Sequence, residues 1–347
     1  MKLRRETSIR TILLIGTPVL FVSILLAVAL GSVNISPLTI IKCIGTVFGL
    51  PADGIDPAEL TVILQIRLPR VFTAVLAGSG LAVSGTIMQG IFRNPLAEPG
   101  ILGVSAGSSL GALVAIASSA TAFFVLQSFA FVGAMLAVAI ILGIAFFSGG
   151  RVKTASLVMS GMAISSFFAA VTSLVLTLSS QYQVSSFIFW TMGGLTNRRW
   201  EHVLAMLPPV ILTILIIMIK SRDLDVLLLG DEEARALGVA PTSTRLIMVL
   251  LASVCTASVV AMTGPIGFIG LIIPHIMRLL VGPAHKKLIV ASIFGGSVFL
   301  LLCDLVTRLI AWPSGMEISV GVVTALIGAP YFLHLMFRSA RRGGELS

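Results

Sequence analysis

Apolar runs of about 20 residues recur along nearly the whole of this 347-residue chain, and no other feature restricts its fold so severely. A bilayer core is about 30 Å thick, so a helix of roughly 20 residues crosses it, and only structures that satisfy their own backbone groups survive there. Read from one charged or Pro/Gly-rich break to the next, the sequence predicts about ten spans, near 11–33, 70–91, 100–119, 122–147, 155–178, 202–219, 243–263, 267–281, 288–311 and 318–337. The eighth is short and interrupted by Gly264, Pro265, Gly267, Gly270 and Pro274. The expected fold class is therefore all-α, a polytopic membrane protein.

Charge supplies the orientation. Charged residues make up 11% of the chain, against roughly 25% in a soluble domain, so the net charge of +9 is not read as a nucleic-acid surface. With the basic start MKLRRETSIR in the cytosol, 17 of the 23 Lys and Arg fall in cytosolic segments; the exceptions are Lys42, Arg67, Arg70, Arg198, Arg199 and Arg308. That bias obeys the positive-inside rule and puts both termini in the cytosol. The run from Thr11 to Leu30 is long for a signal core and reads as an uncleaved first span.

Several chemistries drop out. There is no phosphate-binding G-x-x-x-x-G-K-[ST] and no H-E-x-x-H, and His202, His275, His285 and His334 are scattered. Cys43, Cys255 and Cys303 have no metal-like spacing. A transporter without a catalytic or metal site of its own is the expectation.

One segment breaks the apolar pattern: LLLGDEEARALGVAP, residues 227–241, carries three consecutive acids in a chain with 14 in all. It follows the basic end of the sixth span and so lies in the cytosol. Asp231 reads as an N-cap, Glu232 and Glu233 suit the positive end of a helix, and Gly238 suits its stop. The result is a two-turn helix whose Ala234 and Leu237 offer a small apolar face beside polar Asp231, Glu233 and Arg235, fit to dock in a partner's groove or to remain a solvated capped loop.

The same segment resembles the coupling helix of the FecCD-type ABC importer permeases, which import iron-siderophores, haem and cobalamin. RLPR (67–70), SGTIMQGIFRNPLAEPGILGVSAGSSLG (84–111), GPIGFIGLIIPHIMRLL (264–280), CDLVTRL (303–309) and ISVGVVTALIGAPYF (318–332) are similar to that family in order. The resemblance implies a single permease domain over 1–347, with a first span (11–33), one repeat near 60–178, a connecting span and coupling helix over 179–241, and an inverted second repeat near 242–337. It implies as partners two ATPase subunits, a second permease copy or close paralogue, a periplasmic or lipid-anchored binding protein, and membrane lipid. No cofactor is expected in this chain, because ATP and Mg belong to the ATPase, and the cargo would be an iron-siderophore or related chelate. The implied site is a prokaryotic inner membrane.

Residue by residue, the resemblance implies a coupling helix at Gly230, Asp231, Glu232, Glu233, Ala234, Arg235, Leu237 and Gly238, and a cytoplasmic gate at Thr154 and Ala155. It implies a dimer interface or pathway at Ser160, Ser165, Thr172, Gly321, Thr324 and Gly328. Arg67 and Arg70, flanking Pro69 in a first helical turn, are expected to face outward with Arg308 and meet carboxylates of the binding protein. The alternative is a proton- or sodium-coupled carrier, for which Asp304 is the one acid well inside a predicted span; its partner four residues on, Arg308, makes a structural ion pair the plainer reading.

Overall fold

The structure is a computed structural model that describes residues 8–31, 35–51, 54–118, 124–147, 154–311 and 317–341, the side chains of 145, 154, 155 and 338–341 excepted. Among the described residues there is no strand. Helices α1 (Ile9–Ala29), α2 (Pro37–Val47), α3 (Pro57–Thr61) and α4 (Leu68–Phe92) come first, α3 and α4 being joined by a π-helical turn over Val62–Arg67. A 3₁₀ turn, Pro99–Leu102, precedes α5 (Val104–Ala117), followed by α6 (Val125–Phe147), α7 (Thr154–Thr177), α8 (Gln181–Thr191) and α9 (Trp200–Ile219). The remainder are α10 (Ser221–Leu227), α11 (Asp231–Ala236), α12 (Pro241–Thr263), α13 (Ile269–Val281), α14 (His285–Ala311) and α15 (Val320–Arg341).

Local chemistry sets the boundaries. Ser8, Ser36 and Asp56 cap α1, α2 and α3 with side-chain oxygens that accept backbone N–H groups, and α2 and α3 then begin at Pro37 and Pro57, where a missing N–H costs nothing. Ser180 and Gln183 bond reciprocally to open α8. At its far end α4 stops on Arg93, held in the left-handed conformation at φ 48°.

Among the described residues eight helices are long and apolar enough to cross a membrane by length and composition, against about ten spans expected. The third and eighth expected spans shrink to α5 and α13, of 14 and 13 residues, which at 1.5 Å per residue reach only about 20 Å. Each follows a broken stretch, with Gly103 at φ 71° before α5 and Phe268 at φ 69° before α13. The two breaks face each other across a cavity of about 80 Å³ lined by Glu98, Pro99, Gly100, Pro265, Ile266 and Gly267. Glu98, at the N-cap of the 3₁₀ turn, makes no capping bond and lines this cavity.

Glycine sets the closeness of the central packing. Gly78 of α4 lies against the Gly296 backbone of α14, Gly85 of α4 against Gly270 of α13, and Gly107 and Gly111 of α5 against Gly133 and Phe129 of α6; a Cβ at any of them would overlap backbone. Backbones that approach this closely gain dispersion contacts that lipid tails cannot match, which is how helices associate without a hydrophobic drive. The contacts also repeat: α4 packs on α13 and α14, while α12 packs on α5 and α6. Two apolar cores result, one around Ile87, Met88, Leu224 and Met248, the other around Val28, Ile63, Leu76 and Leu300, toward opposite ends of α4.

Candidate coupling end and opposite mouth

At one end of the molecule α10 and α11 form a short elbow. Gly230, at φ 145° and ψ 163°, is the N-cap, a conformation open to glycine and closed to side chains. Asp231 is thus the first helical residue and not the cap, correcting the sequence expectation. Its carboxylate is taken by Arg245 of α12, with Nη1 at 2.8 Å from Oδ2 and Nη2 on Oδ1, and by Arg93 at 3.5 Å. The hydrogen bond from Arg245 is the main cause holding the Asp231 carboxyl below its ordinary value, with the charges of Arg245, Arg93 and Arg235 adding to it.

The stop is a Schellman arrangement, as Gly238 at φ 80° requires: Val239 N–H reaches Ala234 O at 2.8 Å and Gly238 N–H reaches Arg235 O at 3.0 Å. Ala234 and Leu237 do not share a docking face. Ala234 is wholly buried in the chain's own core, whereas Leu237 is 55% exposed, as are Leu228 and Leu229 in large part. Leu237 is the C-cap, past the last helical residue, so the i,i+3 spacing that would set it beside Ala234 does not hold. The free face therefore presents Leu229, Glu232, Glu233 and Leu237.

This elbow is bolted to three long helices. Arg93, ending α4, donates to Leu227 O; Arg245 binds it to α12; and Asp225 Oδ1 accepts from the His285 backbone N–H at 3.0 Å while lying 2.6 Å from His285 Nδ1, at the start of α14. None of these bolts was legible as a motif. Arg93 and Asp231 lie 138 positions apart in sequence.

At the opposite end the three expected docking arginines turn inward. Arg67, Arg70 and Arg308 are 5%, 8% and 8% exposed, so the expectation that they face outward is corrected. Arg70 donates through Nε to both oxygens of fully buried Asp304 at 3.0 and 3.1 Å and through Nη1 to Glu317. Arg308 also pairs with Asp304, and it donates to Ala27 O at 2.8 Å and Leu30 O at 3.2 Å, while Arg67 donates to Val28 O and Ala29 O. Those carbonyls lie at the C-terminal end of α1, where cations and donors belong. Burial raises the Glu317 carboxyl, but the Thr196 hydroxyl at 2.7 Å and Arg70 outweigh it and hold the group below its ordinary value. Asp304, the acid on which a proton- or sodium-coupled carrier would depend, is thus occupied by two arginines.

The remaining expectations divide. The side chains of Thr154 and Ala155 and the loop before them fall outside the described residues. Gly321, Thr324 and Gly328 form a seam, but within the chain: Gly321 meets Met192 O, Gly328 meets the Phe268 ring, and Thr324 is fully buried with its hydroxyl on Gly321 O at 3.0 Å. Within the chain these residues support the α13 break. Ser165 faces Gly103 at the other break, and Ser160 and Thr172 are half-buried on α7. The exposed side of α7 mixes the apolar Met159, Met162, Phe167 and Leu174 with the hydroxyls of Ser156, Ser166, Ser173 and Thr177.

Residues 19–338 match the FecCD transport family. The chain belongs to that family. It is 40% identical to the cobalamin import system permease protein BtuC of Halobacterium salinarum over 82% of its own length and 75% of that protein's, and 37% identical to the hemin transport system permease protein HmuU of Yersinia pestis over 92% and 94%. A solved inward-facing metal-chelate type ABC transporter superposes with a TM-score of 0.83 at 34% identity, covering 95% of this chain and 99% of the other. The FecCD chain described here is an ABC-importer permease, an all-α membrane subunit.

Proposed function

We propose that this permease forms half of a pathway for a metal chelate, moved by a separate ATPase that seats on the α10–α11 elbow. The observation that carries the reading is the elbow itself: a short helix too small to be stable alone, tied through Asp231, Arg93, Asp225 and His285 to α4, α12 and α14, with Leu229 and Leu237 left exposed beside Glu232 and Glu233. A rigid lever must be fastened to what it moves and open toward what moves it. The relatives named for cobalamin and hemin support a large chelated cargo. The reciprocal packing of α4 on α13–α14 and α12 on α5–α6 supports the reading of two inverted repeats, each with a broken short helix, as alternating access uses. The large apolar side chains exposed on α7 and α15, Leu326, Leu333 and Phe337 among them, suit a second permease copy and lipid. The elbow end is read as cytosolic and the Arg70–Glu317 end as external, with a binding protein delivering cargo there.

Single cysteines at Asn197 and Glu232, in a form lacking Cys43, Cys255 and Cys303, test both orientation and partner. An impermeant thiol reagent on intact cells should label position 197 and leave 232 unlabelled. In membranes opened to the reagent, co-expressed ATPase subunits should protect position 232. Labelling of 232 from outside reverses the topology, and absence of protection removes the ATPase from the elbow.

A further inference from the structure

Beside Arg70 and Glu317 a cleft of about 780 Å³ opens between the π-turn, the loop before α9 and the start of α15. Its size is that of a small-molecule site and far exceeds what one acidic side chain fills. Gln65, Gln127, Thr196, Arg198 and Glu317 are among its walls. Gln65 is placed there by the π-turn, a distortion that tends to occur where a side chain must be re-aimed for function. The turn is pinned by Trp200, whose indole N–H donates to Leu64 O at 2.9 Å.

Two polar groups in this cleft are unanswered. Arg198 makes no hydrogen bond or ion pair among the described residues, and its Nε is buried without a partner. Gln127 Oε1 is buried without a partner as well, and the amide can turn over to present its NH₂. Burial and the neighbouring Arg70 push Arg198 down to about 10, so it is charged at neutral pH yet poorly solvated and uncompensated. Glu317 does not compensate it, since Arg70 and Thr196 already hold that carboxylate. Arg198 is half-buried, and a guanidinium whose Nε is shut off from water with no counter-charge is costly, so the group that relieves it best is an anion with two oxygens for the planar fork.

We infer that this cleft binds the carboxylate of the transported solute, with Arg198 as its charged ligand and Gln127 and Gln65 as neutral donors. The inference rests on the importer reading above, and it assigns the solute class as a carboxylate-bearing chelate. Arg70 with Glu317 shows the same chemistry on the wall of the same cleft.

The test uses the purified permease loaded with its ATPase, with citrate as probe and sorbitol as neutral control, read by isothermal titration. Citrate should bind and sorbitol should not, and Arg198→Gln should weaken citrate by about tenfold or more, the loss expected for one charge-assisted pair. Arg198→Lys should retain part of the affinity. Because the native cation is uncompensated, the thermal midpoint of Arg198→Gln should equal or exceed that of the unaltered protein, which separates loss of a ligand from misfolding. Equal citrate affinity in the unaltered and Arg198→Gln proteins overturns the site. So does the absence of citrate binding accompanied by an Arg198-dependent affinity for the binding protein, which would make the cleft a docking surface. Failure of the ATPase to co-purify counts against the importer reading alone, because citrate binding still reports on Arg198.

Discussion

The two ends of the molecule are each organised around one aspartate between two arginines, and they behave as opposites. Asp304 is fully buried, and Arg70 and Arg308 are 8% exposed. Asp231 is about two-fifths exposed in its side chain, as is Arg93, and only Arg245 is covered. Attraction between charges in a poorly screened interior is large, but so is the cost of desolvating them, and the balance makes a buried cluster intolerant of losing one member. A half-exposed cluster is screened, cheap to form and cheap to break. The first kind suits a part that must not move. The second suits a joint.

The largest expected effect follows from the buried end. Asp304→Asn leaves Arg70 and Arg308 facing each other with one counter-charge, Glu317, and removing one partner of a buried pair costs about 3–5 kcal/mol. Loss of folded protein in the membrane, or a thermal midpoint lowered by many degrees in detergent, is the expected result. A stable Asp304→Asn permease with normal uptake would show that this end tolerates charge imbalance and would erase the contrast with the elbow.

What was legible in the sequence divides along the same line. The long spans could be read because twenty apolar residues have one stable use in a bilayer, and the stop of α11 because Gly238 fits a left-handed position that a side chain resists. The role of Arg67, Arg70 and Arg308 could not. Spacing puts Arg67 and Arg70 on neighbouring positions of a helix turn, but whether that turn looks outward depends on α1, whose C-terminal carbonyls at Ala27, Val28, Ala29 and Leu30 draw Arg67 and Arg308 in. Ala234 and Leu237 were assigned one face on a three-residue spacing, and the core around Met248 and Leu224 took only the first. Arg198 carried no motif, because an uncompensated charge is visible only after every possible partner has been placed elsewhere.

The middle effect belongs to the exposed face of the elbow. Leu237→Arg places a charged stem where an ATPase groove would close, and interface residues of this kind commonly contribute 2 kcal/mol or more, roughly thirtyfold in affinity. Permease abundance and thermal midpoint should stay near those of the unaltered protein while ATPase retention and uptake collapse. Ala234→Arg, by contrast, should lower the amount of folded permease, because it forces charge into the chain's own core. If both variants behaved alike, the two sides of α11 would not be the lever's fixed and free faces.

The smallest effect is predicted at Asp231, where pH can be used to sharpen the comparison. Exposed ion pairs are worth about 0–1 kcal/mol, so Asp231→Asn should fold and should lower uptake only a few-fold, through slack between the elbow and α12. The Asp231 carboxyl is held below its ordinary value in the folded protein, principally by the Arg245 hydrogen bond. Its contribution is therefore complete at any pH above the ordinary aspartate value of about 3.9, and it disappears as pH falls through the lower folded value. The difference in thermal midpoint between the unaltered protein and Asp231→Asn should accordingly be constant from about pH 8 to pH 5 and should close only as pH is taken below about 4. A difference that instead changed between pH 6 and 8 would show that the Asp231 carboxylate does not set the hold of the elbow on α12.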